Sequence, residues 1–171
     1  MTKLSESEQE KIALEHQAAK LFLRLYEKRF HTPMRHIWHN KPIKPDVSCY
    51  LDNEKLDLEI AHLYGSSEEA MAILGRELSA QTRAALDEQL LLPATERLNS
   101  ALNKILSNKA KKRYQSHRVW LVIRNANPYW HIRDIKRFKA SWQSPLKHPF
   151  EQIWLVCDFA GKSGILRLYP D

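Results

Sequence analysis

The chain is poor in the residues that staple or loosen a fold. Cysteine occurs only twice in 171 residues, as Cys49 and Cys157. Two thiols cannot build the disulfide framework of a small secreted domain. Both lie in strand-like runs, so we expect buried free thiols in a reducing cytoplasm. Glycine occurs four times. The Gly161-Lys162-Ser163-Gly164 stretch lacks the first glycine of a phosphate loop, and no helical pattern follows it. It reads as a hairpin turn. No apolar run approaches the roughly twenty residues that a membrane helix needs. The start, Met1 to Glu8, is polar and acidic and does not resemble a signal peptide. These features predict a cytoplasmic protein with no membrane partner.

What is present is a core and an excess of positive charge. Hydrophobic residues make up 43% of the chain, enough for a normal interior, and the length suits a single domain over 1–171. The formal charge is +7 and the pI about 9.4. Such a balance fits a polyanion such as nucleic acid, and equally a merely basic surface.

The most informative stretch is Lys44 to Gly65. Strand-like segments over 45–52 and 55–62 flank the turn-like Asp52-Asn53-Glu54. In the second segment Leu56, Leu58 and Ile60 fall on one face. Lys55, Asp57, Glu59 and Ala61 fall on the other, because strand side chains alternate. Asp46, after Pro45, opens the first segment. Pairing the two segments gathers up to three carboxylates. Carboxylates that close repel unless a proton or a cation sits among them, and hard divalent cations suit oxygen ligands.

Ser5 to about Phe30 reads as an amphipathic helix, started by a capping box from Ser5 with Glu8 or Ser7 with Glu10. Ile12, Ala19, Phe22 and Tyr26 mark its apolar arc. Glu15 interrupts that arc. It either escapes to solvent or to a basic neighbour, or points at a polar site. His16 sits at the arc's edge and reads as surface. From His31 to Lys44 the stretch reads as an irregular basic loop, because Pro33, Pro42 and the following Pro45 break helix. Its histidines, His31, His36 and His39, come with no cysteine and no His-Glu-x-x-His spacing, so zinc is not expected.

Ser66 to Glu69 reads as a helix start, with the helix running to about Leu78 or on to Glu88. Pro93 opens another helix, extending to about Tyr114. Leu98, Leu102, Ile105 and Leu106 form its buried stripe, and Lys109 falls near the middle of that stripe. Either Lys109 snorkels to water or it points at the carboxylates. Lys112 and Arg113 flank it one turn later. Arg118 to Ile123 is a buried strand, and Asn125 to Pro128 a turn. Asp134 to Trp142 is a helix with apolar residues at 135, 138 and 142 and a basic face of Arg133, Lys136, Arg137 and Lys139. Ile153 to Phe159 is a second buried strand, and Ile165 to Tyr169 an edge strand. The expected architecture is mixed α/β, with helices on a central sheet.

This order of elements resembles the PD-(D/E)XK nuclease superfamily, over most of the chain. Pro45-Asp46 and Asp57-Leu58-Glu59-Ile60-Ala61 carry the resemblance. It implies a restriction-endonuclease-like three-layer α/β/α core around a mixed central sheet. It further implies Mg²⁺, with Mn²⁺ as substitute, held by Asp46 and Glu59, and Glu15 as the accessory acid from the first helix. Asp57 would ligate the metal or support a ligand. Where the family has a lysine, two residues after the acid, this chain has Ala61. Three explanations compete: the cation comes from Lys109, or from Lys55, or the site is inactive.

The implied activity is metal-dependent hydrolysis of DNA phosphodiester bonds, with Asp46, Glu59 and Lys109 catalytic. Lys112, Arg113, Arg133, Lys136 and Arg137 would hold phosphates. Defence, repair and mobile-element processing are all compatible with it. So are a homodimer and a larger nuclease assembly. The alternative is an inactive module of the same fold that binds DNA or another subunit. A third reading leaves Asp57 and Glu59 as mere solvated strand residues of a metal-free interaction protein.

Overall fold

A computed structural model describes residues 5–40, 45–65, 79–89, 94–143 and 147–170. The expected helix start at 66–69, its run to 78 and the join at 90–93 fall outside them. The described elements are α1 (Glu6–Phe30), β1 (Met34–His39), β2 (Val47–Leu51), β3 (Glu54–Leu63), α2 (Ala80–Gln89), α3 (Ala94–Ala110), β4 (Val119–Asn125), α4 (Ile132–Ser141), β5 (Gln152–Val156) and β6 (Ile165–Tyr169).

The six described strands form one mixed sheet in chain order. β3, β4 and β5 run parallel, and the outer pairs are antiparallel. Two successive parallel crossovers step in the same direction across the sheet. The right-handed rule for such crossovers puts their helices on one face. Accordingly, Leu98, Leu102 and Leu106 of α3 and Ile135 and Phe138 of α4 share a core with Leu121, Ile123, Ile153 and Leu155. The opposite face is left for α1, whose Ala18, Leu21 and Phe22 pack on Leu58, Ile60, Trp120, Val122 and Trp154. The result is a three-layer α/β/α sandwich with a mixed sheet.

Local chemistry accounts for the elements. Ser5 and Glu8 form the capping box of α1, through Glu8 N to Ser5 Oγ at 3.2 Å and Ser5 N to Glu8 Oε2 at 3.0 Å. Asp52 and Asn53 join β2 to β3 with φ of 47° and 72°. Two successive positive φ values suit a tight hairpin, and Asp and Asn tolerate them better than other non-glycine residues. β4 is buried along its whole length, as a central strand covered on both faces must be. Cys49 and Cys157 are free and buried, and burial pushes each thiol up to about 12. Among the described residues no helix is long and apolar enough to cross a membrane.

Three sequence expectations are corrected. The basic stretch after His31 is not all loop, because Met34–His39 is edge strand β1. Pro33 precedes it, where a missing N–H costs the ladder nothing. A register shift between Arg35 and Trp38 breaks the alternation that would have marked it. α3 ends at Ala110 and not at Tyr114. β5 stops at Val156, and bends and turns replace its expected last residues.

Candidate functional site

The site grows from the β2–β3 pair. Its register sets Val47 opposite Leu58, Ser48 opposite Asp57 and Tyr50 opposite Lys55. Val47 and Leu58 face α1. Ser48, Tyr50, Lys55, Asp57 and Glu59 therefore share the other face, toward α3. Asp46 stands just before β2. Its backbone N–H donates to Glu59 Oε1 at 3.2 Å, and its Oδ2 accepts from Ile60 N at 2.9 Å. The two carboxylates thus clamp the open end of the hairpin reciprocally, and both are buried. Asp57, also buried, accepts from Ser48 Oγ at 2.5 Å.

The cation arrives from α3. Leu98, Leu102 and Leu106 bury their stripe, and the next position on it is Lys109. Its Nζ stands 3.2 Å from Glu59 Oε2. The Glu59 side chain is 0% exposed and that of Lys109 16%. The ammonium is therefore the more solvent-accessible half of the pair. Of the two sequence readings of Lys109, the geometry matches the one aimed at the carboxylates.

Tyr114 was missed by the sequence reading. Beyond the end of α3 the chain turns back, and the Tyr114 hydroxyl donates toward Glu59 Oε2 at 3.1 Å and Lys109 O at 3.0 Å. Burial, then the Glu59 charge and its hydrogen bond, then the Asp46 charge, raise the Tyr114 pKa. The hydroxyl thus remains a donor. A tyrosine one turn beyond a helix end carries no sequence signal of this role. Only the early end of α3 exposes it.

The other candidates go elsewhere. Glu15 is buried on α1, across the sheet from Asp57 and Glu59, and bonds His39 at 3.0 Å, with Lys11 at 3.9 Å. α1 covers the opposite face, so Glu15 is not brought to Glu59. His16 is half-buried rather than surface, and burial first, then Lys20 and His39, lower its pKa. Lys55 is 58% exposed and lies 3.9 Å from Asp57 Oδ1, at the far end of the row from Glu59. Lys112, Arg113, Arg133, Lys136 and Arg137 are all exposed.

A second polar cluster lies on the α1 face, at the carboxyl ends of β3 and β4. His62 and Arg124 are register partners. Arg124 is buried, with Nε and Nη2 donating to the Phe159 carbonyl at 2.9 and 2.6 Å and Nη1 to Gln17 Oε1 at 3.1 Å. Its guanidinium also lies over the Phe159 ring, 3.6 Å from the centroid. Burial, then Arg124, then Lys109 push His62 down to about 4. His62 is neutral at pH 7.

Asp46, Asp57 and Glu59 are thus three buried carboxylates along the hairpin; Glu59 meets the largely buried Lys109, and Asp57 has the exposed Lys55 3.9 Å away. The donors are oxygens only, which suits Mg²⁺ or Mn²⁺. Among the described residues no three His, Cys, Asp or Glu side chains converge as a ready-made metal cage. Asp46 and Glu59 would therefore hold such an ion as a pair, with other oxygens completing its shell. No family model, curated protein or solved structure matches the chain.

Proposed function

We propose that the protein is a metal-dependent nuclease of restriction-endonuclease-like fold, acting on DNA phosphodiester bonds. The observation that carries this reading is the 3.2 Å approach of Lys109 Nζ to Glu59. It supplies from α3 the cation that Ala61 withholds from β3. Asp46 and Glu59 would hold Mg²⁺, which when bound acidifies water and offsets charge on the phosphate. Lys109 would steady charge developing at the same point. The single proton of the Tyr114 hydroxyl lies within reach of both the Glu59 carboxylate and the Lys109 backbone carbonyl, and helps to hold Glu59 beside the end of α3. The exposed Lys112, Arg113, Arg133, Lys136 and Arg137 would contribute sequence-independent phosphate contacts.

One observation favours a second reading. Glu59 is fully buried, and its Oε2 already receives donors from Lys109 and Tyr114. A bound metal must share or displace them. A module that keeps the fold and binds DNA or another subunit without cutting would keep this closed arrangement. The two readings separate in one assay. Purified protein with Mg²⁺ or Mn²⁺ is incubated with plasmid, linear duplex and single-stranded DNA. The nuclease reading expects metal-dependent product from the wild type and none from Asp46→Ala or Glu59→Ala. Salt-sensitive DNA binding with no metal-dependent product would install the second reading instead.

A further inference from the structure

The face that carries the carboxylates continues outward onto β2 and β1. Trp38 pairs in register with Ser48, whose hydroxyl bonds Asp57. His39, the next residue, points the other way, to Glu15 on α1. Trp38 therefore lies on the same side of the sheet as Asp57 and Glu59. Tyr50 lies there too, opposite Lys55. The two rings are in contact, with centroids 5.8 Å apart and planes at 47°.

Neither ring serves the core. Trp38 is 38% exposed and Tyr50 37%, whereas Trp120, Trp130 and Trp154 are 2% exposed or less. Adjacent half-exposed aromatic rings on a sheet face are costly to leave in water unless something covers them. Their neighbours say what the cover is. One strand inward lies the carboxylate–lysine site proposed to act on phosphodiesters. Beside Tyr50, Lys55 extends into solvent. Bases stack on aromatic side chains whatever their sequence, and a paired base in a duplex has both of its faces already stacked.

Building on the nuclease reading, we infer that Trp38 and Tyr50 form a stacking platform for unpaired bases. Single-stranded DNA laid across β1 and β2 then delivers its backbone to Asp46, Glu59 and Lys109. The preferred substrate class is a single strand, a flap or a splayed end rather than an intact duplex.

The test reads binding apart from cleavage. Wild type in EDTA and low salt is titrated with a short oligothymidylate, and with the same strand paired to oligoadenylate. Anisotropy of the labelled strand gives the affinity, and quenching of tryptophan fluorescence reports the exposed Trp38 above all. The single strand is expected to bind more tightly than the duplex. Trp38→Ala and Tyr50→Ala should each weaken it by about five- to a hundredfold, the range for loss of one stacked base. Trp38→Phe, which keeps a ring, should retain most of the affinity. Unchanged melting of the alanine variants shows that they fold.

Equal binding of duplex and single strand, or alanine variants that bind like wild type, would overturn the platform. So would sedimentation showing that Trp38→Ala only dissociates a dimer, since the face would then belong to a second copy. Strand binding without metal-dependent cleavage leaves the platform standing and removes the nuclease. Duplex cleavage indifferent to both alanine variants does the reverse.

Discussion

Replacing Lys109 by methionine removes the ammonium while keeping most of the stem that packs at the end of the α3 stripe. In the wild type Glu59 Oε2 receives Lys109 Nζ at 3.2 Å and Tyr114 OH at 3.1 Å, and Oε1 receives Asp46 N at 3.2 Å. Without the ammonium this carboxylate, 0% exposed in the wild type, keeps the neutral Tyr114 hydroxyl and Asp46 N–H as donors. Breaking a buried ion pair by removing one partner costs about 3–5 kcal/mol. Lys109 itself is 16% exposed, and water reaching that opening moderates the loss, so we expect about 3 kcal/mol. For a domain of this size that is a fall in melting temperature of roughly 6–12 °C. Urea unfolding followed by tryptophan fluorescence measures it. Glu59→Gln in the same background removes the stranded charge. The double variant should therefore be more stable than the sum of the two single losses, by about 1.5 kcal/mol or more. A Lys109→Met loss within about 0.5 kcal/mol of zero, or strict additivity in the cycle, would refute the pairing.

His62 supplies a pH signature. Its folded value is near 4 against 6.5 for the free side chain. The unfolded chain therefore binds the proton first. Stability is full above about pH 6.5 and is lost as pH falls toward 4, by up to about 3 kcal/mol. His62→Gln should flatten that part of the profile in denaturant titrations across pH 4 to 7. If the profile keeps its slope, other groups carry it. Tyr114→Phe removes a hydroxyl but little volume. It should cost about 1 kcal/mol of stability and tighten Mn²⁺ binding measured by calorimetry, because one competitor for Glu59 Oε2 is gone. Weaker Mn²⁺ binding would place Tyr114 outside that competition.

The centre of the fold was legible because it obeys simple periodicities. Leu56, Leu58 and Ile60 alternate with Asp57 and Glu59, and the structure keeps that division between the two faces of β3. Lys109 was legible as a break in an apolar helical stripe. Its contact partner was not fixed by the stripe, since solvent also lay within reach of the stem. Glu15 shows the limit of the same argument. An apolar arc says which side of a helix turns inward, but not which face of a sheet the helix will cover. Glu15 is inward, and it meets His39 on the wrong face for Glu59. β1 was hidden because an edge strand with a register shift, three histidines nearby and an outward tryptophan loses its alternation. Arg124 and Asn125 were unreadable as buried for a related reason. Their polarity suggested the strand had ended, whereas carbonyls of Phe159, Trp130 and Cys157 satisfy them inside.

We propose that Lys109, rather than a strand lysine, completes a metal-dependent site with Asp46 and Glu59. Single-turnover cleavage of labelled single-stranded DNA in Mn²⁺, comparing wild type with Lys109→Ala, tests it most directly. The wild type should cleave only with metal, and the variant at a rate lowered by about a hundredfold or more, the scale of losing a positioned catalytic group. A Lys109→Ala variant that folds and cuts as fast as the wild type would contradict it.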